Sequence, residues 1–371
     1  MYIKSIQFEN YRNLKNDIFF PQKGINVICG DNAQGKTNLI ECMWLFTGGR
    51  SFRGAKDREL IRFEEDTASA EVCFFAGERE QTIKINIQNN RRTPILNGVP
   101  KSYMSQIIGV FCAVIFSPNH LGLIKNGPEE RRNFIDGALC QIKPSYASVL
   151  TKYRRVLNER NALLKDIPRH PELEDTLDVW NEKLAEEGAK IAFERMKYLR
   201  KLSVPAKDFY SGISSGRENL SLSYKNAYYA DENMNCMEIK ETLLEKITRR
   251  QTDDIYCGYT TGGIHRDDMT IRINNRDAKS FASQGQQRSA VLALKLAEAR
   301  VLGQEKKENP IILLDDVLSE LDLSRQNYLL TKLNSLQVFI TCCESSAEAG
   351  HIVTISSGTI QNSSRRDNPP P

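Results

Sequence analysis

The residues Gly30-Asp31-Asn32-Ala33-Gln34-Gly35-Lys36-Thr37 fill every fixed position of the pattern G-x-x-x-x-G-K-[ST]. Glycines at both ends let the backbone curl until its N–H groups converge on phosphate oxygens. The Lys36 ammonium adds a point charge at the β and γ phosphates, and the Thr37 hydroxyl is a magnesium ligand. The chemistry is binding of a nucleoside triphosphate with its cation. A second constellation is Ile311-Ile312-Leu313-Leu314-Asp315-Asp316, four apolar residues ending in two carboxylates. An acidic turn closing a strand is one reading. With a phosphate loop in the same chain, the stronger one assigns Asp315 to the magnesium shell, through Thr37 or water, and Asp316 to polarising an attacking water.

A third candidate is Ser283-Gln284-Gly285-Gln286-Gln287-Arg288, which precedes the apolar helical stretch Ser289 to Leu302. Two readings stand. Ser283 and Gln286 have the spacing of a capping box, which explains two residues of six. Alternatively, Ser283, Gly285 and Gln286 present a hydroxyl and backbone N–H groups to a γ-phosphate at a helix start.

These residues need elements to hold them. Gly24 to Cys29 reads as a short apolar strand into the phosphate loop, and Asn38 to Phe46 as the helix leading out, its N-terminus toward the anion. Ile311 to Leu314, with Pro310 where no ladder donor is needed, reads as a parallel strand buried on both faces. Residues Met1 to Phe8 alternate as a strand, Ala70 to Phe75 and Thr82 to Ile87 do likewise, and Asn97-Gly98 signals a tight hairpin. Between Glu129 and about Leu202, a stretch rich in Lys, Arg, Glu, Leu and Ala, broken near Pro144 and Pro168 to Pro171, suggests three helices. Trp180, Leu184, Ile191 and Leu199 give the last of them an apolar stripe for packing. Leu220 to Tyr224 and Met269 to Ile273 read as strands, and Glu238 to Gln251 as a helix.

Bulk properties bound the rest. At 371 residues and 40% hydrophobic, the chain has material for two or three cores. It has no run of 18 apolar residues and its N-terminus lacks a signal-peptide block, so a cytoplasmic protein with no membrane segment is expected. Nine cysteines without a C-x-x-C pair, mostly inside apolar runs such as those of Cys29, Cys42, Cys73 and Cys112, read as buried thiols of a reducing compartment. From Gln81 to Pro128 there is no carboxylate against Lys84, Arg91, Arg92, Lys101 and Lys125. Residues 125 to 166, with Arg131 and Arg132, carry nine Lys/Arg against five Asp/Glu. Lys84, Arg91, Arg92, Lys101, Arg131 and Arg132 are candidate DNA-backbone contacts; a solvated basic surface is the alternative.

Taken with Thr261-Gly262-Gly263-Ile264-His265-Arg266-Asp267-Asp268, Ser319-Glu320-Leu321-Asp322, Phe116-Ser117-Pro118 and Gly127 to Asp136, these motifs closely resemble the bacterial RecF family of DNA repair and replication ATPases. The resemblance runs from the first strand to about residue 361. It implies an α/β fold: an ABC-type P-loop ATPase head with a mixed sheet and an antiparallel β layer, plus a mainly helical lobe. The expected division is residues 1–120 and 251–361 as the two parts of the ATPase lobe, 121–250 as the helical lobe, and 362–371 as a disordered tail. The resemblance further implies ATP and Mg2+ as cofactors and a homodimer that forms when ATP is bound. In that dimer, Ser283 and Gly285 of one copy would face the phosphate loop of the other, with Asp322 near the interface. Its implied partners are duplex and gapped or single-stranded DNA and RecR, with weak ATP hydrolysis and loading of recombinase at gaps. Asp316 stands where most ABC ATPases have Glu, so slow hydrolysis is expected; Gln106 and Asn119 both suit the sensing glutamine, and His265 suits a structural role as well as a chemical one. A transporter's ATP-binding subunit is disfavoured, because more than 240 residues, many basic and helical, separate Lys36 from Ser283. A clamp that binds ATP and DNA without meaningful hydrolysis remains the other alternative.

Overall fold

The computed structural model describes residues 1–226, 234–342 and 350–362. The expected tail thus lies, but for its first residue, outside the described residues. The chain forms two compact units: Met1–His120 together with the chain from Leu292 onward, and Leu121–Val291.

In the first unit, a sheet runs in the order Thr359–Asn362, His351–Ser356, Ile25–Cys29, Val338–Cys342, Ile311–Leu314, Ala113–Phe116. Its strands are parallel except for the antiparallel edge strand Thr359–Asn362. Ile311–Leu314 and Ala113–Phe116 are buried at every position, as continuous apolar runs in parallel sheets are. The second sheet is antiparallel, in the order Asp17–Phe19, Tyr2–Glu9, Thr67–Ala76, Arg79–Gln88, Arg91–Leu96, Val99–Pro100. Its strands alternate buried and open positions, and one apolar cluster joins Ile6, Phe8, Val72, Phe74 and Ile85 to Leu39 and Met43 of the helix Lys36–Leu45 and to Phe46 at its C-cap. Asn97 and Gly98 both take positive φ in the turn that pairs Leu96 with Val99, the hairpin their types demand. Cys29, Cys42 and Cys112 are buried, whereas Cys73 is half-buried, its strand position alternating away from the core.

In the second unit, Pro128–Ile142, Pro144–Asp166 and Leu177–Ile213 are the three expected helices, with Pro128 and Pro144 in first turns where a missing N–H costs nothing. The third continues past Pro205 to Ile213, because Ala206, Tyr210 and Ile213 extend its buried stripe. Cys236–Arg249 and Gln251–Cys257 are further helices of this unit. A small antiparallel sheet orders Arg276–Asp277, Asp268–Ile273 and Leu220–Lys225. Residues 251–291, expected with the ATPase lobe, cluster here instead, because the strand Asp268–Ile273 finds its partner in Leu220–Lys225. The unit is pinned by buried ions. Arg160 reaches Asp254 and Thr260, each at 2.7 Å, and Asn181 at 2.9 Å. Arg195 holds Asp136 through two bonds of 2.8 Å and the Ile264 carbonyl at 2.9 Å.

Candidate nucleotide site

The phosphate loop leaves the strand Ile25–Cys29 at Gly30, whose φ of 152° and close approach to the sheet exclude a side chain: a Cβ there would lie 2.3 Å from the Ile355 carbonyl oxygen. Gly35 has φ 115°, and its Cβ would meet Leu14 at 2.8 Å. Neighbouring turns brace the loop from outside. Asn13 donates to the Ala33 carbonyl at 3.0 Å, and the Gly358 N–H donates to the Gln34 carbonyl at 3.1 Å. Asp31, Asn32 and Ala33 form the exposed crown. Lys36 reaches back across it, its ammonium donating to the carbonyls of Gly30 and Asp31.

Thr37 donates to Asp315 Oδ1 at 2.8 Å, and Thr341, at the end of the strand Val338–Cys342, donates to the same oxygen at 3.1 Å. The Thr341 hydroxyl also accepts from the Asp316 N–H at 2.9 Å. Burial holds the Asp315 carboxyl above its usual range, with Asp316 adding in the same direction and the two threonine hydroxyls and Arg53 opposing. A carboxylate and a hydroxyl, both hard oxygen donors, fit magnesium, which takes one or two carboxylates and fills its remaining positions from phosphate and water. Among the described residues no larger cluster of metal-ligating side chains exists. Asp316 itself is exposed, at φ 53°, and Ser319 donates to its carboxylate at 3.0 Å. That left-handed residue turns the chain so that two consecutive carboxylates face different places, one into the sheet and one into the cavity.

The cavity beside the loop is about 1050 Å³ and is lined by Lys36, Thr37, Asp316 and Thr341 and by groups that sequence reasoning did not single out as ligands: Arg12, Asn13, Arg53 and the segment 61–66. Arg12 is held by Glu41, fully buried on the loop's own helix, through bonds of 2.9 and 3.1 Å. Ser51 and Tyr11 also donate to Glu41. A charged residue on the otherwise apolar face of Lys36–Leu45 was the available signal.

Ser283, Gly285 and Gln286 belong to the other unit. The capping box is present: the Gln286 N–H donates to Ser283 Oγ at 3.2 Å, and the Ser283 N–H donates to Gln286 Oε1 at 2.8 Å. Gln286 also donates to Glu218 at 2.5 Å, so its side chain is committed within its unit, whereas Ser283 is exposed. Asp322 caps the helix Leu323–Leu333, accepting from the Arg325 N–H at 2.9 Å. His265 bonds Tyr153 at 2.9 Å, and burial lowers its pKa to about 4, which makes it a neutral joint of the second unit.

The candidate DNA cations are not one face. Arg92 is buried, paired with Asp57 at 2.9 Å and donating to the Gly49 carbonyl. Arg131 is buried in a two-bond pair with Asp268 and also donates to the carbonyls of Leu123 and Asn126. Arg132 is half-buried and donates to the Asp267 carbonyl at 2.8 Å. Arg91 is exposed, donating to the Ser102 carbonyl at 3.2 Å, while Lys84 and Lys101 are half-buried. Both buried arginines are paired by carboxylates from remote positions, Asp57 and Asp268, so Arg92 and Arg131 are structural ion-pair residues.

A family model described as the RecF/RecN/SMC N terminal domain matches residues 2–360. A DNA replication and repair protein RecF from Agathobacter rectalis is 42% identical over 344 residues, 92% of each chain. The solved structure of a recombination mediator protein RecF with ATP, of the RecFOR pathway, matches with a TM-score of 0.92 at 38% identity over 98% of both chains. An SMC head domain from Pyrococcus furiosus, bound to the C-terminal domain of ScpA, matches with a TM-score of 0.56 at 17% identity over 97% of this chain and 95% of its own, which is a likeness of fold.

Proposed function

We propose, since this chain belongs to the bacterial RecF family, that it is an ATP-binding protein of DNA repair and replication whose nucleotide state governs its assembly on DNA. The observation that carries the reading is the bond from Thr37 to Asp315, 278 positions apart in sequence, which joins the phosphate loop to the carboxylate strand beside a cavity large enough for a nucleotide.

Magnesium-bound ATP supplies a phosphoryl group whose transfer to water needs positioning and charge stabilisation more than covalent help. Lys36 places its ammonium at the β and γ phosphates. Thr37 and Asp315 hold the cation, and Asp316 orients the water and accepts its proton. The aspartate carboxylate is one methylene shorter than a glutamate's, so it holds that water less closely and turnover is slow. Ser283 and the Gly285 N–H of a second copy close the site, so ATP bridges two subunits on DNA. Duplex and gapped DNA and a RecR-type mediator are the partners, recombinase loading at gaps the outcome, and the cytoplasm the location. Among the described residues no helix is long and apolar enough to cross a membrane.

Sedimentation with ATP tests the reading. The wild type is expected to dimerise and Ser283→Arg to remain monomeric; a wild type monomeric at saturating ATP would remove the shared site. A titration on gapped against continuous duplex, with ATP and with a non-hydrolysable analogue, tests substrate and switch together.

A further inference from the structure

The small sheet of the second unit carries a cationic face that none of the motifs above uses. Its register pairs Lys225 with Asp268, Ser223 with Thr270 and Ser221 with Arg272. Strand alternation buries Leu220, Met269, Ile271 and Ile273 on one side. The other side presents Ser221, Ser223, Lys225, Thr270 and Arg272, and the last four of these, with the turn at Arg276, line a trough of about 1080 Å³.

The charges there are unevenly spent. Asp268 is occupied by Arg131, at 2.6 and 3.0 Å, and Asp277 caps the Ser280 N–H at 3.0 Å. Lys225, Arg272 and Arg276 are exposed, and no carboxylate among the described residues pairs with them. The carboxylates are consumed by the fold while the cations remain available, and the hydroxyls between them add donors without adding charge.

We propose that this trough docks the phosphate backbone of duplex DNA, an inference that rests on the DNA function proposed above. Lysine, arginine, serine and threonine are among the side chains that make the phosphate and sugar contacts of protein–DNA interfaces. Four residues of strand separate the positions of Lys225 and Arg272, about 13 Å at roughly 3.3 Å per residue. One small anion does not span that distance, whereas a polymer of phosphates does. Among the described residues a single exposed ring, Phe281, lines the trough, whereas stacking of successive bases needs a series of them. Tyr224, on the strand's other face, donates to Asp267 at 2.8 Å. Backbone contact is therefore favoured over single-strand stacking.

The test is fluorescence anisotropy of the full-length protein with a labelled blunt duplex over a salt series, with and without ATP. Each cation that touches a phosphate contributes roughly 0.9 to the slope of log affinity against log salt. The double variant Lys225→Gln/Arg272→Gln is expected to flatten that slope by about two and to weaken binding about tenfold or more at low salt. Binding of a fluorescent ATP analogue should be unchanged, which also reports folding. If the wild type binds duplex and the double variant keeps its slope, the trough is not the docking surface, although the DNA function stands. A wild type with no salt-sensitive duplex binding would sink both. Displacement of the duplex by millimolar inorganic phosphate at constant ionic strength would make the trough a small-anion site and overturn the proposal. Equal loss of single-stranded binding, with single strands preferred, would overturn the duplex assignment.

Discussion

Asp315 and Asp316 are adjacent and chemically identical, yet their surroundings differ. Burial raises the Asp315 carboxyl above its ordinary value, so between the two values the folded chain binds more protons than the unfolded one. The stability tied to this group is present below that window and lost as pH rises through it. Asparagine keeps the Oδ1 acceptor for Thr37 and Thr341 and drops the charge. Asp315→Asn is therefore expected to raise the melting temperature of the nucleotide-free protein at pH 7 and to remove the magnesium dependence of ATP binding. Thermal scans with and without Mg-ATP read both, and a lowered nucleotide-free melting temperature would contradict the assignment. Asp316 is exposed and oriented by Ser319, as a water-positioning group should be. Asp316→Asn is expected to cut kcat about 10²-fold or more while ATP affinity stays within about twofold. A variant with full turnover would move the water elsewhere.

At the scale of elements, the two units are held differently. The first relies on apolar faces between a parallel sheet, an antiparallel sheet and the loop helix. The second inserts buried arginines between helices, where loss of one partner strands a charge. His265 belongs to this second kind of joint, set between Tyr153 and the Thr260 carbonyl. Its pKa is lowered from 6.5 to about 4, so the unfolded chain binds more protons between those values. Stability from this group is present above about pH 6.5 and is lost as pH falls toward 4, roughly 3 kcal/mol in all at about 1.4 kcal/mol per unit. Urea midpoints at pH 4.5 and 7 should converge in His265→Gln relative to the wild type. An unaltered pH profile would show that the neutral imidazole is not what acid attacks. His120, shifted the same way by burial, leaves a residual slope in either protein.

For the whole molecule, nucleotide binding should appear as stability. A ligand that binds only the folded state at 100 times its Kd contributes about 2.7 kcal/mol by mass action. The wild type is thus expected to melt several degrees higher with saturating Mg-ATP, and Lys36→Ala to lose the shift while keeping its own nucleotide-free melting temperature within a few degrees. A shift retained in Lys36→Ala would place ATP outside the phosphate loop. The two units also explain the long interval between Lys36 and Ser283, since Leu121–Val291 forms a compact unit of its own, inserted in sequence between the two segments of the first.

Several local features of the fold and of the candidate site were legible in the sequence, because their signals are short. The phosphate loop, the apolar run into Asp315 and Asp316, the Asn97-Gly98 turn and the capping box of Ser283 and Gln286 each depend on residues within one turn or strand. Local backbone chemistry suffices to read them. Tertiary structure alone decided which charges were free. Arg92 looks unopposed along the chain until Asp57 arrives, and Arg131 passes over its neighbours Glu129 and Glu130 for the remote Asp268. The same holds for Arg12, which Glu41 carries to the cavity, for Thr341, which shares one oxygen of Asp315 with Thr37, and for the strand Asp268–Ile273, assigned to its unit by pairing with Leu220–Lys225. An ion pair or a strand pairing is satisfied by any partner that folding brings within reach, and sequence distance does not record which one that is.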